Sequence, residues 1–401
     1  MSLPVPRRIL PVLVGSQFAG TSLWFAVNAV MPDLQRAWGL NDSAVGLLTS
    51  AVQLGFVVGT LVFALAMLAD RFAPTRVFLV CSLLAAAVNA LVLVADGSLA
   101  WLVACRFGVG FLLAGIYPVG MKIAAGWYRQ GLGAAMGVLI GALVLGTALP
   151  HGLRALVEEG GAGAGSVGGG PVSWQLVIIG VSLLAAAGGV AMAMFVPSNP
   201  DAVRSARITP RALGLIWSDR RLRASVFGYF GHMWELYAFI VLVPLICATR
   251  LAGQSVSAAS FAVIAAGFVG CVGGGMLVRR LGSARVAGGQ LAISATCCVL
   301  APVMLAAPPA LFFAWLLVWG ATVAGDSPQF STLTAQNAPP AVVGSVLTFT
   351  NCIGFAISIV SIELFVRGAT VWPLASLLPL LAAGPVLGLA MLRPLLVESK
   401  S

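Results

Sequence analysis

The chain has very few charged side chains for its length. Only 8% of its 401 residues are Asp, Glu, Lys or Arg, 60% are hydrophobic, and the mean hydropathy is +1.03. Soluble globular domains carry about 25% charged residues, so this composition excludes that class. The net charge of +10 does not indicate a nucleic-acid partner either, because the positive charges lie between apolar runs and form no single basic patch.

The sequence also has little that supports enzymatic or metal chemistry. Its two histidines, His151 and His232, lie far apart in the chain, and there is no Walker lysine motif. We therefore expect no enzymatic activity, no cofactor, no metal site and no ATP-driven step. The seven cysteines lie in or at the ends of apolar runs, where we expect small buried thiols and no disulfide framework. They are Cys81, Cys105, Cys247, Cys271, Cys297, Cys298 and Cys352.

Twelve long apolar runs make up most of the chain. Runs of about 20 apolar residues are long enough to cross a bilayer as helices, and their lack of strict alternation excludes a membrane barrel. We therefore predict an all-α, multi-pass protein of the lipid bilayer. The predicted spans cover residues 9–30, 43–66, 75–95, 98–122, 133–156, 172–196, 223–248, 255–278, 286–307, 310–335, 341–366 and 371–392.

The positive charges are distributed unevenly over the connections. The even-numbered connections and the termini hold 17 of the 22 Lys and Arg residues, the odd-numbered connections hold four, and Arg106 lies inside the fourth span. By the positive-inside rule, both termini lie in the cytoplasm, and the expected location is the bacterial cytoplasmic membrane. The apolar run after Arg7 and Arg8 is too long for a typical signal-peptide core, so we interpret it as the first span.

A long polar connection divides the chain into two groups of six spans. We predict an N-terminal bundle at 1–197, a linker at 198–222 and a C-terminal bundle at 223–401. Residues 66–76 (AMLADRFAPTR) and 275–285 (GMLVRRLGSAR), which follow the second and eighth spans, align without gaps. The first and seventh spans also match loosely, and each is predicted to end at a proline, Pro32 and Pro244. Internal repeats of this kind are typical of transporter halves.

The chain resembles the major facilitator superfamily over essentially all of its length. The loop after the second span matches the family pattern Gly-x-Leu-x-Asp-Arg-x-Gly-Arg-Lys at Leu68, Asp70 and Arg71, with alanines at both glycine positions. The fourth span carries the family's Arg-x-x-x-Gly element from Arg106 to Gly110. The resemblance implies two pseudo-symmetric six-helix bundles around a central cavity, and secondary transport by alternating access. We expect a monomer.

Two strings point to a subgroup within this resemblance. GHMWELYAF at residues 231–239 and GDSPQFSTLTAQ at 325–336 resemble a bacterial subgroup near the nitrate/nitrite and cyanate porters. Nitrate porters carry an arginine within the second and eighth spans, and this chain has neither. We therefore do not expect nitrate as the substrate.

Ionisable groups inside the spans are the strongest functional candidates, because each is costly to place in a bilayer. Four lie well inside predicted spans: Arg106, His232, Glu235 and Asp326. A carboxyl group away from water favours its neutral form, and histidine titrates near neutral pH. Our hypothesis is that Glu235, assisted by His232 three residues earlier, exchanges a proton, with Asp326 as a further proton-coupling group. Arg106 then attracts an anionic group or balances Asp326. The alternative is a permanent buried network that fixes the fourth, seventh and tenth spans.

Polar and aromatic residues at helical spacing mark a predicted substrate cavity. Gln17, Thr21, Trp24 and Asn28 are spaced by four, three and four residues, so they lie on one face of the first span. Such a face is placed toward protein or water, because lipid cannot satisfy it; the alternative is hydrogen bonding between helices. We add four further cavity candidates from the other central spans. They are Arg106, Tyr117, Tyr237 and Gln329.

Charged residues near the ends of two spans are predicted to form a gate and an ion pair. The resemblance implies that Asp70, with Arg71 and Arg76, holds the cytoplasmic gate closed, with the carboxylate facing the positive N-terminus of the eleventh span. At the other end of that span, Glu363 and Arg367 are four residues apart, and we predict an interfacial ion pair.

These features predict a proton-coupled secondary transporter of a small solute. Two alternatives within transport are an uncoupled anion facilitator or exchanger, with Arg106 as the anion contact, and proton-antiport efflux of small organic or hydrophobic compounds. A membrane sensor is disfavoured because the linker and termini are too short for a signalling domain. A membrane enzyme is disfavoured because the histidines lie apart.

Overall fold

The computed structural model describes residues 6–128, 132–163, 174–197, 208–251 and 254–397, and these residues form helices and connections without strands. Twelve helices are long and apolar enough to span a membrane, which confirms the predicted all-α fold. In chain order, α1 to α12 are Ile9–Trp38, Ser43–Leu65, Pro74–Val94, Leu99–Trp127, Ala135–Glu159, Trp174–Phe195, Arg220–Ala248, Ser255–Leu281, Ser283–Met304, Pro309–Asn337, Val343–Ala369 and Leu374–Val397.

Helix α1 does not end near Pro32, contrary to the prediction, whereas α7 passes Pro244 and ends at Ala248, the end predicted for the seventh span. Helix α1 continues past Pro32 to Trp38 and stops at Gly39, whose φ of 64° is the left-handed geometry that commonly ends a helix. Membrane helices tolerate internal proline when neighbouring helices satisfy the backbone groups that it releases. Here Pro32 leaves the carbonyl of Asn28 without its helical donor, and Arg154 of α5 donates to the adjacent carbonyl of Ala29 at 2.6 Å.

The linker is shorter at its C-terminal end than predicted. Helix α7 begins at Arg220, because the side chain of Asp219 accepts from the backbone of Arg221 and Leu222, both at 2.8 Å, and caps the helix. A short helix at Arg211–Ser218 precedes it and buries Ala212 and Ile216 against α7 and α11. Residues 198–207, the first part of the predicted linker, lie outside the described residues.

The two aligned repeat segments have different backbones. After α2, Met67 takes a left-handed φ of 51° and a single helical turn follows at Leu68–Arg71. In the second segment, α8 itself continues without a break to its last residue, Leu281. The segments agree again at the aligned residues Ala73 and Gly282, each of which precedes the first residue of the next span.

Two seams join the first six helices to the last six: α5 packs along α8, and α2 packs along α11. Within each group the closest approaches occur at glycines. A side chain on Gly55 or Gly110 would collide with the facing backbone across α2 and α4, and one on Gly270 would collide with Ala321 of α10. On α8, Gly267 lies against both Val144 of α5 and Ala324 of α10, whereas Gly270 packs against Ala321 of α10.

Candidate functional site

Three of the four helices predicted to line the cavity are interrupted near their middles. Helix α1 changes to 3₁₀ geometry at Ser22–Phe25, α4 is interrupted between Leu113 and Tyr117, and α10 is interrupted at Asp326. Interrupted membrane helices leave backbone groups free and mark binding sites in many transporters. Each interruption contains or adjoins a predicted site residue: Trp24, Tyr117 and Asp326.

Arg106 holds the interruption of α1. Its guanidinium is 0% exposed and donates to the Leu23 carbonyl at 3.1 and 3.2 Å, and to the Trp24 carbonyl. It also contacts Asn89 of α3 at 3.4 Å. The prediction that Arg106 balances Asp326 is therefore wrong, because its partners are carbonyls that the 3₁₀ segment leaves free.

Five aromatic rings close the centre between the two groups of helices, and we call them the aromatic plug: Trp24, Phe56, Tyr117, Tyr237 and Phe355. The indole of Trp24 stacks on Tyr237 of α7 with centroids 6.0 Å apart, and on Phe355 of α11 at 5.5 Å. Phe56 and Phe355 approach to 4.5 Å across the same seam. Residues from both groups therefore meet ring to ring at the predicted cavity.

The predicted polar face of α1 is divided by its 3₁₀ segment. Trp24 donates to Gln53 at 3.2 Å and Asn28 donates to Thr49 at 2.6 Å, so both lie beside α2 near the other group. Thr21 instead packs on α5, and Gln17 lies against α4. A 3₁₀ helix turns about 20° more per residue than an α-helix, or about 80° over four residues, which separates the two parts of the face.

His232 and Asp326 form a fully buried pair. Nδ1 of His232 lies 2.7 Å from Oδ1 of Asp326, and both side chains are 0% exposed. Among the described residues, Nε2 of His232 and Oδ2 of Asp326 have no hydrogen-bond partner. Asp326 also lies at the N-terminus of Ser327–Asn337, where the helix dipole favours negative charge. Gln329, one turn further, is buried.

Glu235 points away from this pair, into the interior of the last six helices. Its carboxylate accepts from Trp319 at 2.6 Å, Ser294 at 2.9 Å and Cys298 at 3.2 Å. Glu235 and His232 therefore have different partners, and the hypothesis that His232 assists proton exchange at Glu235 stays a prediction. The two residues are three positions apart on α7, but one contacts α10 at its interruption and the other contacts α9 and the first part of α10.

The predicted cytoplasmic gating residues lie together after α2. Asp70 forms an ion pair with Lys122 of α4 at 2.5 Å, while Arg71 and Arg76 are exposed. Helix α11, which the gating hypothesis places opposite Asp70, begins at Val343. The gating role of the three residues stays a prediction.

The predicted ion pair at the other end of α11 is confirmed, with Arg367 Nε and Glu363 Oε2 3.0 Å apart. Glu363 also accepts from Ser50 of α2 at 2.9 Å. This carboxylate therefore joins the two groups of helices at the α2–α11 seam. The sequence contained no signal for that contact, because Ser50 and Glu363 are 313 positions apart.

The match to a family model decides the identity at the level of family. Residues 13–362 match the model of the Major Facilitator Superfamily. The chain belongs to the major facilitator superfamily. It is therefore a membrane transporter of that superfamily, and its twelve candidate membrane spans agree with the superfamily's all-α fold. No curated protein matches the chain, so the nitrate/nitrite and cyanate subgroup stays an expectation from the two strings.

Several side chains around the site were not predicted. Gln53 fixes the indole of Trp24, Phe56 and Phe355 complete the plug, and Trp319 is the nearest donor to Glu235. Gln53 is a polar residue within an apolar run and could have been found by the argument applied to α1. The aromatic residues have no such signal, because phenylalanine and tryptophan are ordinary in apolar spans.

Proposed function

We propose that this chain is a proton-coupled secondary transporter of a small organic solute in the cytoplasmic membrane, with both termini in the cytoplasm. Two six-helix halves, residues 1–197 and 223–401, move about the α2–α11 and α5–α8 seams as a monomer. The aromatic plug is the central gate that separates when the halves tilt. His232, Asp326 and Glu235 carry the proton.

The His232–Asp326 pair carries this proposal. When the histidine is protonated the pair has no net charge, and when it is neutral the pair has a net charge of −1. Within the described residues no Lys or Arg pairs with Asp326. Because an uncompensated charge is costly away from water, the unprotonated pair favours a state in which a proton or a cationic solute reaches it. That difference in free energy can couple proton binding to the movement of the halves.

Glu235 supports the same proposal from a second position. Its carboxylate has three neutral donors and no ion-pair partner among the described residues, so its charge changes when it binds a proton. It is 0% exposed, so a proton can reach it only when the C-terminal half rearranges. We expect Glu235 to bind or release its proton when that rearrangement occurs. The His232–Asp326 pair is expected to face the predicted substrate cavity.

The uncoupled anion facilitator is less well supported. That alternative needs Arg106 as the anion contact, and the guanidinium is instead occupied by carbonyls of α1. An anion would have to compete with these bonds and would distort the α1 interruption.

Proteoliposomes that contain a trapped pH-sensitive dye test the proposal. Organic amines, organic acids, amino acids and small inorganic anions are added outside in turn, and the internal pH is followed. We expect at least one organic solute to move protons through the wild type, and Asp326→Asn to abolish the response. The matched control is Asp96→Asn, since Asp96 is exposed in the α3–α4 connection and asparagine tolerates its φ of 44°. Solute uptake without any proton movement in the wild type would contradict the proposal.

A further inference from the structure

A cavity of about 360 Å³ lies between the two halves, on the side of the aromatic plug opposite the predicted cytoplasmic ends. Cavities of this size bind small organic ligands. Most of its wall is apolar and comes from the last turns of α7 and from α11, including Ile240, Leu242, Val366 and Ala369. The polar groups come mainly from α1 and α5.

Asn28 lines this cavity and carries a buried acceptor that has no partner among the described residues. Its amide nitrogen lies 2.6 Å from Thr49 Oγ1, and Thr49 donates its single hydroxyl proton to the Val45 carbonyl at 2.7 Å. Thr49 can therefore only accept from Asn28, which fixes the orientation of the amide. Oδ1 of Asn28 is buried and has no partner among the described residues. An unmet buried acceptor favours a ligand that donates a hydrogen bond.

The charges around the cavity favour the same kind of ligand. Asp42 contributes a carboxylate, which accepts from Gln35 at 3.0 Å, and His151 contributes an imidazole. None of the described residues that line the cavity is Lys or Arg. An anionic ligand would meet a carboxylate and no Lys or Arg among the described lining residues, whereas an ammonium group would meet acceptors. The guanidinium of Arg154, which lies near His151, is already paired with Asp33 and Glu158.

The aromatic plug lies next to this polar wall along α1, because Asn28 follows Trp24 by about one helical turn. When the plug opens, the faces of Trp24 and Tyr237 become available on the path from the cavity. Aromatic faces attract organic cations. An amine that leaves Asn28 therefore meets a second favourable surface, which an acid of the same shape would not.

We propose that this cavity is a binding site for organic amines that carry an apolar body, occupied before or after passage through the plug. The ammonium donates to Asn28 Oδ1 near Asp42 and His151, and the body lies against α7 and α11. The inference rests on the proposed transport function for its place in a cycle, but binding itself requires no proton gradient. It makes amines the solute class of the transporter.

Three probes with the same apolar body separate the ligand classes: 4-phenylbutylamine, 4-phenylbutanol and 4-phenylbutyrate. Binding to the purified full-length protein is measured by titration calorimetry at pH 8, above the ordinary titration range of histidine. We expect the amine to bind most tightly and the acid most weakly. Asn28→Ala weakens amine binding by at least about tenfold, the loss expected for one hydrogen bond to a charged group, and Asn28→Asp restores or strengthens it.

A cavity-filling variant gives a second test that does not depend on Asn28. Ala369 is partly exposed, and Ala369→Trp fills the cavity. The control Ala314→Trp places the same side chain in an apolar groove between α9 and α10. We expect only Ala369→Trp to abolish amine binding. Equal or tighter binding of 4-phenylbutyrate, or full amine binding by Ala369→Trp, overturns the inference. Those results leave proton coupling untouched, because coupling is measured by internal pH, and the absence of coupling would not remove amine binding.

Discussion

Replacing Glu235 separates its structural contacts from its proposed proton-carrying role. The carboxylate accepts from Trp319, Ser294 and Cys298. In Glu235→Gln, the amide oxygen keeps Trp319 and Cys298, and the amide nitrogen faces Ser294. Ser294 can accept because its own proton turns to the Leu291 carbonyl, 3.1 Å away. All three partners keep a hydrogen bond, and only the second amide hydrogen of glutamine lacks an acceptor among them, so we expect a stability loss of about 1 kcal/mol, smaller than that of Glu235→Ala.

Glu235→Ala gives the contrasting result. Ser294 again turns to Leu291, but the Trp319 N–H and the Cys298 thiol lose their acceptor. One unsatisfied buried donor costs about 1–3 kcal/mol, and the space left by the side chain adds to that cost. We therefore expect Glu235→Ala to be about 2–4 kcal/mol less stable than the wild type.

Thermal unfolding in detergent measures stability, and proton flux in proteoliposomes measures coupling. We expect the thermal unfolding midpoint of Glu235→Gln to lie closer to that of the wild type than the midpoint of Glu235→Ala does. We also expect Glu235→Gln to lose solute-driven proton flux, because glutamine cannot bind and release a proton. Equal destabilisation of Glu235→Gln and Glu235→Ala would show that the three contacts of Glu235 do not form, and would refute this prediction. The prediction is also refuted if Glu235→Gln keeps full proton flux.

Three further predictions follow from individual contacts. Arg106→Gln lowers the thermal unfolding midpoint, because the Leu23 carbonyl in the α1 interruption loses its donor; an unchanged midpoint would exclude this clamp. Glu363→Ala lowers the thermal unfolding midpoint more than Arg367→Ala does, because only the first removes the acceptor of Ser50 across the α2–α11 seam; equal midpoints would exclude a contribution of this contact to the seam. Gly270→Leu should misfold or slow transport, because its side chain collides with the α10 backbone. The matched control is Gly273→Leu, since a Cβ at Gly273 meets nothing within 4 Å. Similar yields and transport rates for the two variants would contradict the packing.

The sequence was sufficient for the twelve spans because their signal is a sum over about 20 apolar residues. It was less informative about where helices stop, since Pro32 suggested an end that the contact of Arg154 with Ala29 overrides. Gly39, the residue that ends α1, was available as a signal. The 3₁₀ segment at Ser22–Phe25 had a weaker signal. Arg106, about 80 positions away, donates to its carbonyls, and locally only the hydroxyls of Thr21 and Ser22 bond to carbonyls in the preceding turn.

The candidate site was predicted in its members but not in its pairings. Glu235, His232 and Asp326 stood out because ionisable side chains are rare in apolar spans. Helical spacing placed Glu235 beside His232, yet a separation of three residues leaves about 60° between side chains. That angle is enough for one to face Asp326 and the other Trp319. The pairing depends on the interruption of α10 at Asp326, where Pro328 lies in the first turn of the second helical part.

In the proposed transport cycle, proton binding at the His232–Asp326 pair drives solute movement. The most direct test compares two rates in proteoliposomes for the solute that moves protons: accumulation driven by an imposed pH gradient, and exchange at equal solute and pH on both sides. We expect Asp326→Asn to lose gradient-driven accumulation and to keep exchange. Asp96→Asn should keep accumulation and exchange. If Asp326→Asn still accumulates solute against its gradient when pH alone drives it, the pair does not carry the proton.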